Sequence, residues 1–197
     1  MRRLAPLALL VAAWSLSCSE EKSQGPAPVA EKSDIELLRE RVAEDPKDDD
    51  AWYHLAELYG RAGLYEEEGD ALRKVVAIKP EMGYAHFKLG TAYNRLGRYE
   101  EAVASFSKAA RFTRDQPMVF NNMAFALGKL GRVDEEIAAL KKAVAIRPSY
   151  AVAHFNLGMA FLKQGKRGEA AKQYAQLKDL DEAMAATLKK QIEGKAR

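Results

Sequence analysis

Few side chains in this sequence have a type and spacing that could support chemistry. The three histidines, His54, His86 and His154, form no pair at the spacing of metal ligands, and the chain has neither a glycine-rich phosphate loop nor a nucleophile elbow. The acidic runs 48–50 and 66–68 lie at predicted helix starts, where negative charge interacts favourably with the helix dipole. We therefore predict a protein that is not an enzyme and that needs no cofactor, metal ion or small-molecule substrate.

The only cysteine, Cys18, is the residue best placed for a chemical modification. It follows an N-terminal segment with arginines at positions 2 and 3 and an apolar run over residues 4–16. A run of about thirteen residues is shorter than the roughly twenty that cross a hydrocarbon core, so residues 1–17 are predicted to be an export signal peptide. Free thiols are usually avoided in oxidising compartments, which favours a modified cysteine.

The residues around this cysteine resemble the lipobox of bacterial lipoproteins, whose cysteine is lipidated and becomes the first residue after cleavage. Ser17 fits the small residue that the motif requires before the cysteine, whereas Ser15 stands where the motif prefers leucine. The resemblance implies a lipid anchor at Cys18 in the bacterial cell envelope. Because Ser19 and not aspartate follows the cysteine, it further implies the outer membrane, facing the periplasm.

The composition separates this anchor from a folded part and argues against nucleic acid as a partner. Residues 18–33 are polar, contain glycine and proline, and are predicted to be a disordered tether. The formal net charge is +3, and loss of Arg2 and Arg3 with the signal leaves 29 basic against 28 acidic residues. This balance predicts no strongly basic face for binding nucleic acid.

Side chains of similar character recur every thirty-four residues, four times in succession. The recurring columns are Trp52, His86, Phe120 and His154; Leu55, Leu89, Met123 and Leu157; Ala56, Gly90, Ala124 and Gly158; Gly63, Gly97, Gly131 and Gly165; and Leu72, Phe106, Leu140 and Tyr174. A fixed period of this length predicts stacked helix–turn–helix units.

The order of these residues resembles the tetratricopeptide repeat (TPR) family, and the resemblance covers about residues 49–184 without a gap. It implies an all-α fold, a right-handed TPR solenoid of four stacked helix–turn–helix repeats with N- and C-terminal capping helices. The implied units are an N-terminal capping helix at 34–48, repeats at 49–82, 83–116, 117–150 and 151–184, and a C-terminal capping helix with a basic tail at 185–197.

Two glutamates depart from the family pattern. Glu68 and Glu136 stand on the second helices of the first and third repeats, where the pattern has a small residue. We expect both carboxylates to reach solvent from slightly opened hairpins. We also expect the first repeat to pack most loosely, because Gly69 further weakens its second helix.

In TPR proteins the first helices line a concave groove, and the resemblance implies that residues flanking the packing stripe contact a partner there. In this sequence those positions combine apolar rings and methionines with amide and basic groups, a mixture suited to a peptide segment. The predicted partner-binding residues are Tyr53, His54, Tyr84, Phe87, Lys88, Met118, Asn121, Asn122, Phe125, Val152, Phe155, Asn156 and Met159. The apolar residues of the third and fourth repeats favour that half of the groove.

The predicted function is a membrane-anchored, non-catalytic scaffold for protein–protein interaction that binds a partner peptide or helix in this groove. One alternative is an assembly factor resembling pilotins, the TPR lipoproteins that escort outer-membrane rings of secretion or pilus complexes. A second alternative is an unlipidated periplasmic or secreted TPR adaptor.

Overall fold

The structure, a computed structural model, describes residues 28–113 and 115–194, with side chains described from residue 34 onwards. The predicted signal peptide, the predicted lipidation site Cys18 and most of the predicted tether lie outside these residues. Within the described ranges every regular element is an α-helix. None of these helices is long and apolar enough to cross a membrane.

Ten helices follow one another along the described chain. They are α1 (Pro28–Glu44), α2 (Asp49–Arg61), α3 (Tyr65–Ile78), α4 (Gly83–Arg95), α5 (Tyr99–Phe112), α6 (Pro117–Lys129), α7 (Val133–Ile146), α8 (Ala151–Lys163), α9 (Arg167–Leu180) and α10 (Glu182–Gly194). Helix α1 begins at Pro28, so the last part of the predicted tether, 28–33, is helical.

The helices pack as successive antiparallel pairs. The pairs α2–α3, α4–α5, α6–α7 and α8–α9 form four hairpins, and each hairpin also packs on the next through α3–α4, α5–α6 and α7–α8. Helix α1 covers α2 at one end, and α10 folds back onto α8 and α9 at the other. The predicted all-α solenoid of four stacked hairpins between capping helices is confirmed.

A glycine with positive φ ends the first helix of every hairpin. Gly63 has φ of 75°, and Gly97, Gly131 and Gly165 each have φ of 73°, a left-handed conformation that glycine adopts without strain. The residue after each glycine donates its backbone N–H to the carbonyl five positions earlier, over 2.9 Å in all four turns. This closed turn explains why the glycine column recurs at the repeat period.

A ring N–H joins three of the hairpins to the proline that precedes them. Trp52 Nε1 donates to the Pro46 carbonyl at 3.1 Å, and His86 Nε2 lies 2.8 Å from the Pro80 carbonyl oxygen. His154 Nε2 lies 2.8 Å from the corresponding oxygen of Pro148. In the third hairpin the equivalent residue is Phe120, which has no N–H, and the sequence has arginine in place of the preceding proline. Tryptophan and histidine are interchangeable here because both present a ring N–H.

Two kinds of pairing between small and large residues occur along the solenoid. In the first kind, alanine on the first helix faces leucine on the second, as for Ala56 and Leu72. In the second kind, glycine on the first helix leaves room for a larger neighbour. A Cβ at Gly90 would lie 2.8 Å from the ring of Phe106, which is completely buried. The second hairpin therefore carries a matched small and large residue on its two helices, whereas Gly158 of the fourth hairpin makes room for Leu188 of α10, which lies 2.5 Å from where a Cβ would be.

The two glutamates that depart from the family pattern are also matched to small residues on the facing helix. The expectation that their carboxylates reach solvent is wrong. Glu68 and Glu136 are 8% and 7% exposed. Each carboxylate fills the space left by a glycine on the facing helix: a Cβ at Gly60 would lie 2.8 Å from Glu68 Oε1, and one at Gly128 would lie 2.9 Å from the Glu136 carboxylate. The hairpins hold these side chains inside because the glycines provide the room.

The first hairpin is as tightly packed as the others, contrary to expectation. Its core residues Leu55, Leu72 and Val75 are at most 1% exposed. A Cβ built at Gly69 would have no other atom within 4 Å. Gly69 therefore lowers the stability of the first hairpin only through the conformational freedom of glycine in a helix.

These observations predict opposite effects for two Gly→Ala substitutions. Gly90→Ala should lower the free energy of unfolding by about 1–3 kcal/mol, because the new methyl group overlaps the buried ring of Phe106. Gly69→Ala should raise it by about 0.5–1 kcal/mol, because alanine is the better helix former and has open space. Urea denaturation followed by circular dichroism measures both changes. Equal effects of the two substitutions would contradict the matched packing.

Candidate functional site

The residues predicted for the groove lie on one face built by the first helices α2, α4, α6 and α8, which we call the inner face. Side chains join each neighbouring pair of these helices across this face. The connections are Tyr53 to Tyr84, with ring centroids 6.3 Å apart; Asn94 Nδ2 to the Asn122 carbonyl, at 3.2 Å; and Asn156 Nδ2 to Asn121 Oδ1, at 2.9 Å. The inner face is therefore one continuous surface across the four hairpins.

Most of the predicted contact residues are accessible on this face. Phe125 is 50% exposed and Met118 is 48% exposed, which is unusual for apolar side chains of this size in a packed protein. The exposed members of the set are His54, Tyr84, Met118, Phe125 and Val152, and the half-buried members are Tyr53, Phe87, Lys88, Asn122, Phe155, Asn156 and Met159.

Asn121 differs from the rest because its side chain is 8% exposed. Its Oδ1 accepts a hydrogen bond from Asn156, and its Nδ2 donates to Asn122 Oδ1 at 3.3 Å. Asn121 therefore holds the two flanking amides in position and has little surface of its own to offer a partner.

A cavity of about 340 Å³ opens between α6 and α8, which we call the α6–α8 cleft. Four predicted residues line it, together with the buried core residues Ala124 and Leu140 and four further residues that were not predicted for the groove. The predicted ones are Asn121, Phe125, Asn156 and Met159, and the additional ones are Gly128, Lys129, Glu136 and Lys163. Phe125 and Met159 supply apolar surface, while the amide and charged groups supply hydrogen-bonding atoms.

An ion pair forms the polar part of the cleft. Lys163 Nζ lies 2.7 Å and 2.9 Å from the two carboxylate oxygens of Glu136, and it reaches them from the next hairpin. The Glu136 side chain is 9% exposed and that of Lys163 is 44% exposed, so the ammonium approaches a nearly buried carboxylate from the solvent side. This pair compensates a charge that would otherwise be costly to bury.

The second lysine of the cleft, Lys129, is not held by a carboxylate within the described residues. Its Nζ lies 5.4 Å from the ring centroid of Phe125, within the range of a cation–π interaction. The sequence did carry a signal for these cations. Lys129 and Lys163 share a column of the repeat with Arg61 and Arg95, one at the end of each first helix.

The other half of the inner face is aromatic. The rings of Tyr53, Tyr84 and Phe87 follow one another, with 6.1 Å between the last two centroids. Lys88 Nζ lies 5.7 Å from the Tyr84 centroid and 3.7 Å from Glu57 Oε1. Burial, reinforced by the charge of Glu57 and by Tyr84, raises the pKa of Tyr53 well above its usual value, so this hydroxyl stays protonated and can act as a hydrogen-bond donor.

No group of three or more histidine, cysteine, aspartate or glutamate side chains in the described part of the chain is arranged to hold a metal ion. His86 and His154 are buried at the hairpin joints described above, at 4% and 6% exposure. Burial lowers the pKa of His86, which favours the neutral ring that donates to the Pro80 carbonyl. Both histidine rings therefore have a packing role at the hairpin joints.

The ion pair of the cleft predicts a stability change. Lys163→Met should lower the free energy of unfolding by about 1–2 kcal/mol, because the Glu136 carboxylate then has no counter-ion. This is less than for a fully buried pair, since solvent screens the exposed end of Lys163. Urea denaturation at neutral pH measures the loss. The double variant Lys163→Met/Glu136→Gln should recover most of it, and equal losses in the single and double variants would contradict this role.

The chain matches models of tetratricopeptide repeats over most of its length. A TPR repeat model matches residues 90–131 and 129–165, and two tetratricopeptide repeat models match residues 35–83 and 152–182. No curated protein sequence matches the chain.

Solved structures with the same architecture share little sequence with this protein. A crystal structure of MamA protein is 21% identical, with a TM-score of 0.74, and the match covers 80% of this chain and 86% of that one. MamA 41-end from Desulfovibrio magneticus RS-1 is 17% identical, with a TM-score of 0.71 and coverage of 78% and 87%.

A third structure is described as YrrB, a TPR protein with an unusual peptide-binding site. It is 20% identical, with a TM-score of 0.74, and the match covers 82% of this chain and 84% of that one. At this level of identity the similarity shows the fold. Given four hairpins with the family's glycine turns and small-residue columns, and repeat models that match along them, this chain belongs to the tetratricopeptide repeat family.

Proposed function

We propose that this protein is a non-catalytic scaffold that binds a segment of a partner protein along its inner face. The observation that carries the proposal is the set of exposed apolar side chains on α6 and α8. Phe125, which lines the α6–α8 cleft, is 50% exposed, and Met118 and Val152, near the starts of the two helices, are 48% and 36% exposed. Exposed apolar surface of this kind, bordered by polar groups, is typical of protein interaction sites.

The cleft supports a division of roles between its side chains. Phe125 and Met159 provide apolar surface that a partner side chain can cover, and such burial is the main favourable contribution to binding. The amide of Asn156 is fixed by its hydrogen bond to Asn121, and Lys129 has no carboxylate partner among the described residues. These polar groups suit the backbone carbonyls of a bound segment. The peptide-binding site described for YrrB is in keeping with this use of the fold.

The proposal predicts that peptide binding depends on Phe125. Random peptides displayed on phage and selected on the immobilised full-length protein should converge on a shared sequence. A synthetic peptide of that sequence should bind the Phe125→Ala variant at least about tenfold more weakly, because a central aromatic contact is lost. Isothermal titration calorimetry measures the change.

Leu64→Ala provides the matched control. Leu64 is also exposed, at 43%, but it lies in the turn between α2 and α3 and away from the cleft. Its substitution should leave affinity for the selected peptide unchanged. The proposed role of the inner face in binding would be contradicted if the selection yielded no shared sequence, or if Phe125→Ala and wild type bound the peptide with equal affinity.

We also propose that the chain is anchored in the bacterial cell envelope through a lipid on Cys18. This rests on the sequence, namely the apolar run before Cys18, the small residue Ser17 and the polar segment that follows. The anchor would hold the scaffold at a membrane surface, where it could capture partners in the periplasm.

Metabolic labelling tests the anchor. Radioactive palmitate should label the full-length protein expressed in bacteria, and the Cys18→Ala variant should carry no label and should leave the membrane fraction. A mature N-terminus other than Cys18 on wild-type protein would instead support an unlipidated periplasmic or secreted adaptor.

A further inference from the structure

Two nearly buried carboxylates occupy equivalent positions of the repeat, two repeats apart. Glu68 and Glu136 each stand on the second helix of a hairpin and fill the space opposite a glycine of the first helix, Gly60 and Gly128. Both carboxylates lie near the last turn of that first helix, where the helix dipole disfavours negative charge. Each therefore needs a cation nearby.

The third and fourth hairpins show which group meets this need. Lys163, from the next hairpin, contacts both carboxylate oxygens of Glu136 at 2.7 Å and 2.9 Å and remains 44% exposed on its solvent side. A primary ammonium on a flexible chain thus reaches this kind of site from the groove.

The first and second hairpins lack this contact. Arg95 is the residue equivalent to Lys163, but its guanidinium lies 5.5 Å from the ring centroid of Tyr65 and its Nη1 lies 3.5 Å from the Tyr65 hydroxyl. Among the described residues no hydrogen bond or ion pair reaches the Glu68 carboxylate. Burial raises the pKa of Glu68, and the charges of Lys88 and Arg95 offset that rise only in part.

The positive charge of Lys88 acts on Glu68, but the ammonium contacts another carboxylate. Its Nζ lies 3.7 Å from Glu57 Oε1 and 5.7 Å from the centroid of the Tyr84 ring. The 3.7 Å contact is longer than a hydrogen bond, so Lys88 is loosely held. Its position also shows that the aromatic and acidic surface formed by Tyr84 and Glu57 accepts a cationic group.

We infer that the inner face between α2 and α4 binds a lysine or arginine side chain of the partner segment, with its cationic group placed beside Glu68 as Lys163 is placed beside Glu136. This inference rests on the proposed function and assigns the chemistry of one contact within it. The neighbouring rings of Tyr53 and Tyr84 lie on the same pair of helices, and Tyr84 already has the Lys88 ammonium 5.7 Å from its centroid, so this surface favours a cation.

The test uses the peptide obtained by phage selection on the full-length wild-type protein. The sequence of this peptide should contain a lysine or arginine at a fixed position. Replacing that residue by norleucine or citrulline should weaken binding about tenfold or more, because a charge-assisted hydrogen bond is lost. Glu68→Gln should weaken binding of the original peptide to a similar degree. The neutral peptide should then bind wild type and Glu68→Gln equally, because the two losses belong to one contact.

Glu67→Gln is the matched control. Glu67 is the neighbouring acid on α3, is exposed, and borders a different cavity beside α1, so its substitution should leave affinity unchanged. Circular dichroism checks that each variant is folded.

The outcomes separate this inference from the proposed function. If no shared peptide sequence emerges, or if Phe125→Ala binds as wild type does, the proposed function fails. If Phe125→Ala loses binding but the selected peptides share no basic residue, the cation site is wrong and the scaffold function stands. The same holds if Glu68→Gln and the neutral peptide have independent effects.

Discussion

The structure depends on one constraint: a single hairpin cannot cover its own apolar face and must pack on its neighbour. The buried side chains form two clusters: one joins α1, the first two hairpins and part of α6, and the other joins the last two hairpins with α10. Val103 and Met123 contact both clusters and make the core continuous. Because every hairpin is fixed by the one before it, the first helices stay aligned and their outward residues form one surface. The inner face is thus a product of stacking.

Much of the fold could be predicted from the sequence because stacking repeats the same local requirements at a fixed interval. The glycine turns and the small-residue columns are readable since each depends on residues within one hairpin. The burial of Glu68 and Glu136 could not be predicted because it depends on a glycine of the facing helix. The sequence alone does not indicate that Gly60 and Gly128 face these carboxylates. For Asn121, a column position predicted exposure, whereas its amide network buries it. The groove was recognisable as a surface, but its individual contacts were not.

The two halves of the inner face differ in how they satisfy their polar groups. At the α6–α8 cleft the chain provides its own cation, Lys163, and leaves apolar surface open. Between α2 and α4 the rings are packed on one another, and Glu68 lacks an equivalent partner. A bound segment would therefore meet apolar contacts toward one end and an acidic, aromatic environment toward the other. Such polarity can fix the direction in which a segment lies.

The pairing of large and small residues within a hairpin has a consequence for recombination between repeats. The ring of Phe106 requires Gly90 on its own partner helix, and the carboxylate of Glu136 requires Gly128. Crossovers at the loops between hairpins would transfer both members of each pair together and keep the core intact. Crossovers at the glycine turns would place an aromatic ring against alanine or a glutamate against leucine. For the second and third hairpins, the unit that such a gene can duplicate, lose or exchange while keeping these matched pairs is therefore the whole hairpin and not one of its helices. The fourth hairpin would have to move together with α10, because Gly158 is matched to Leu188.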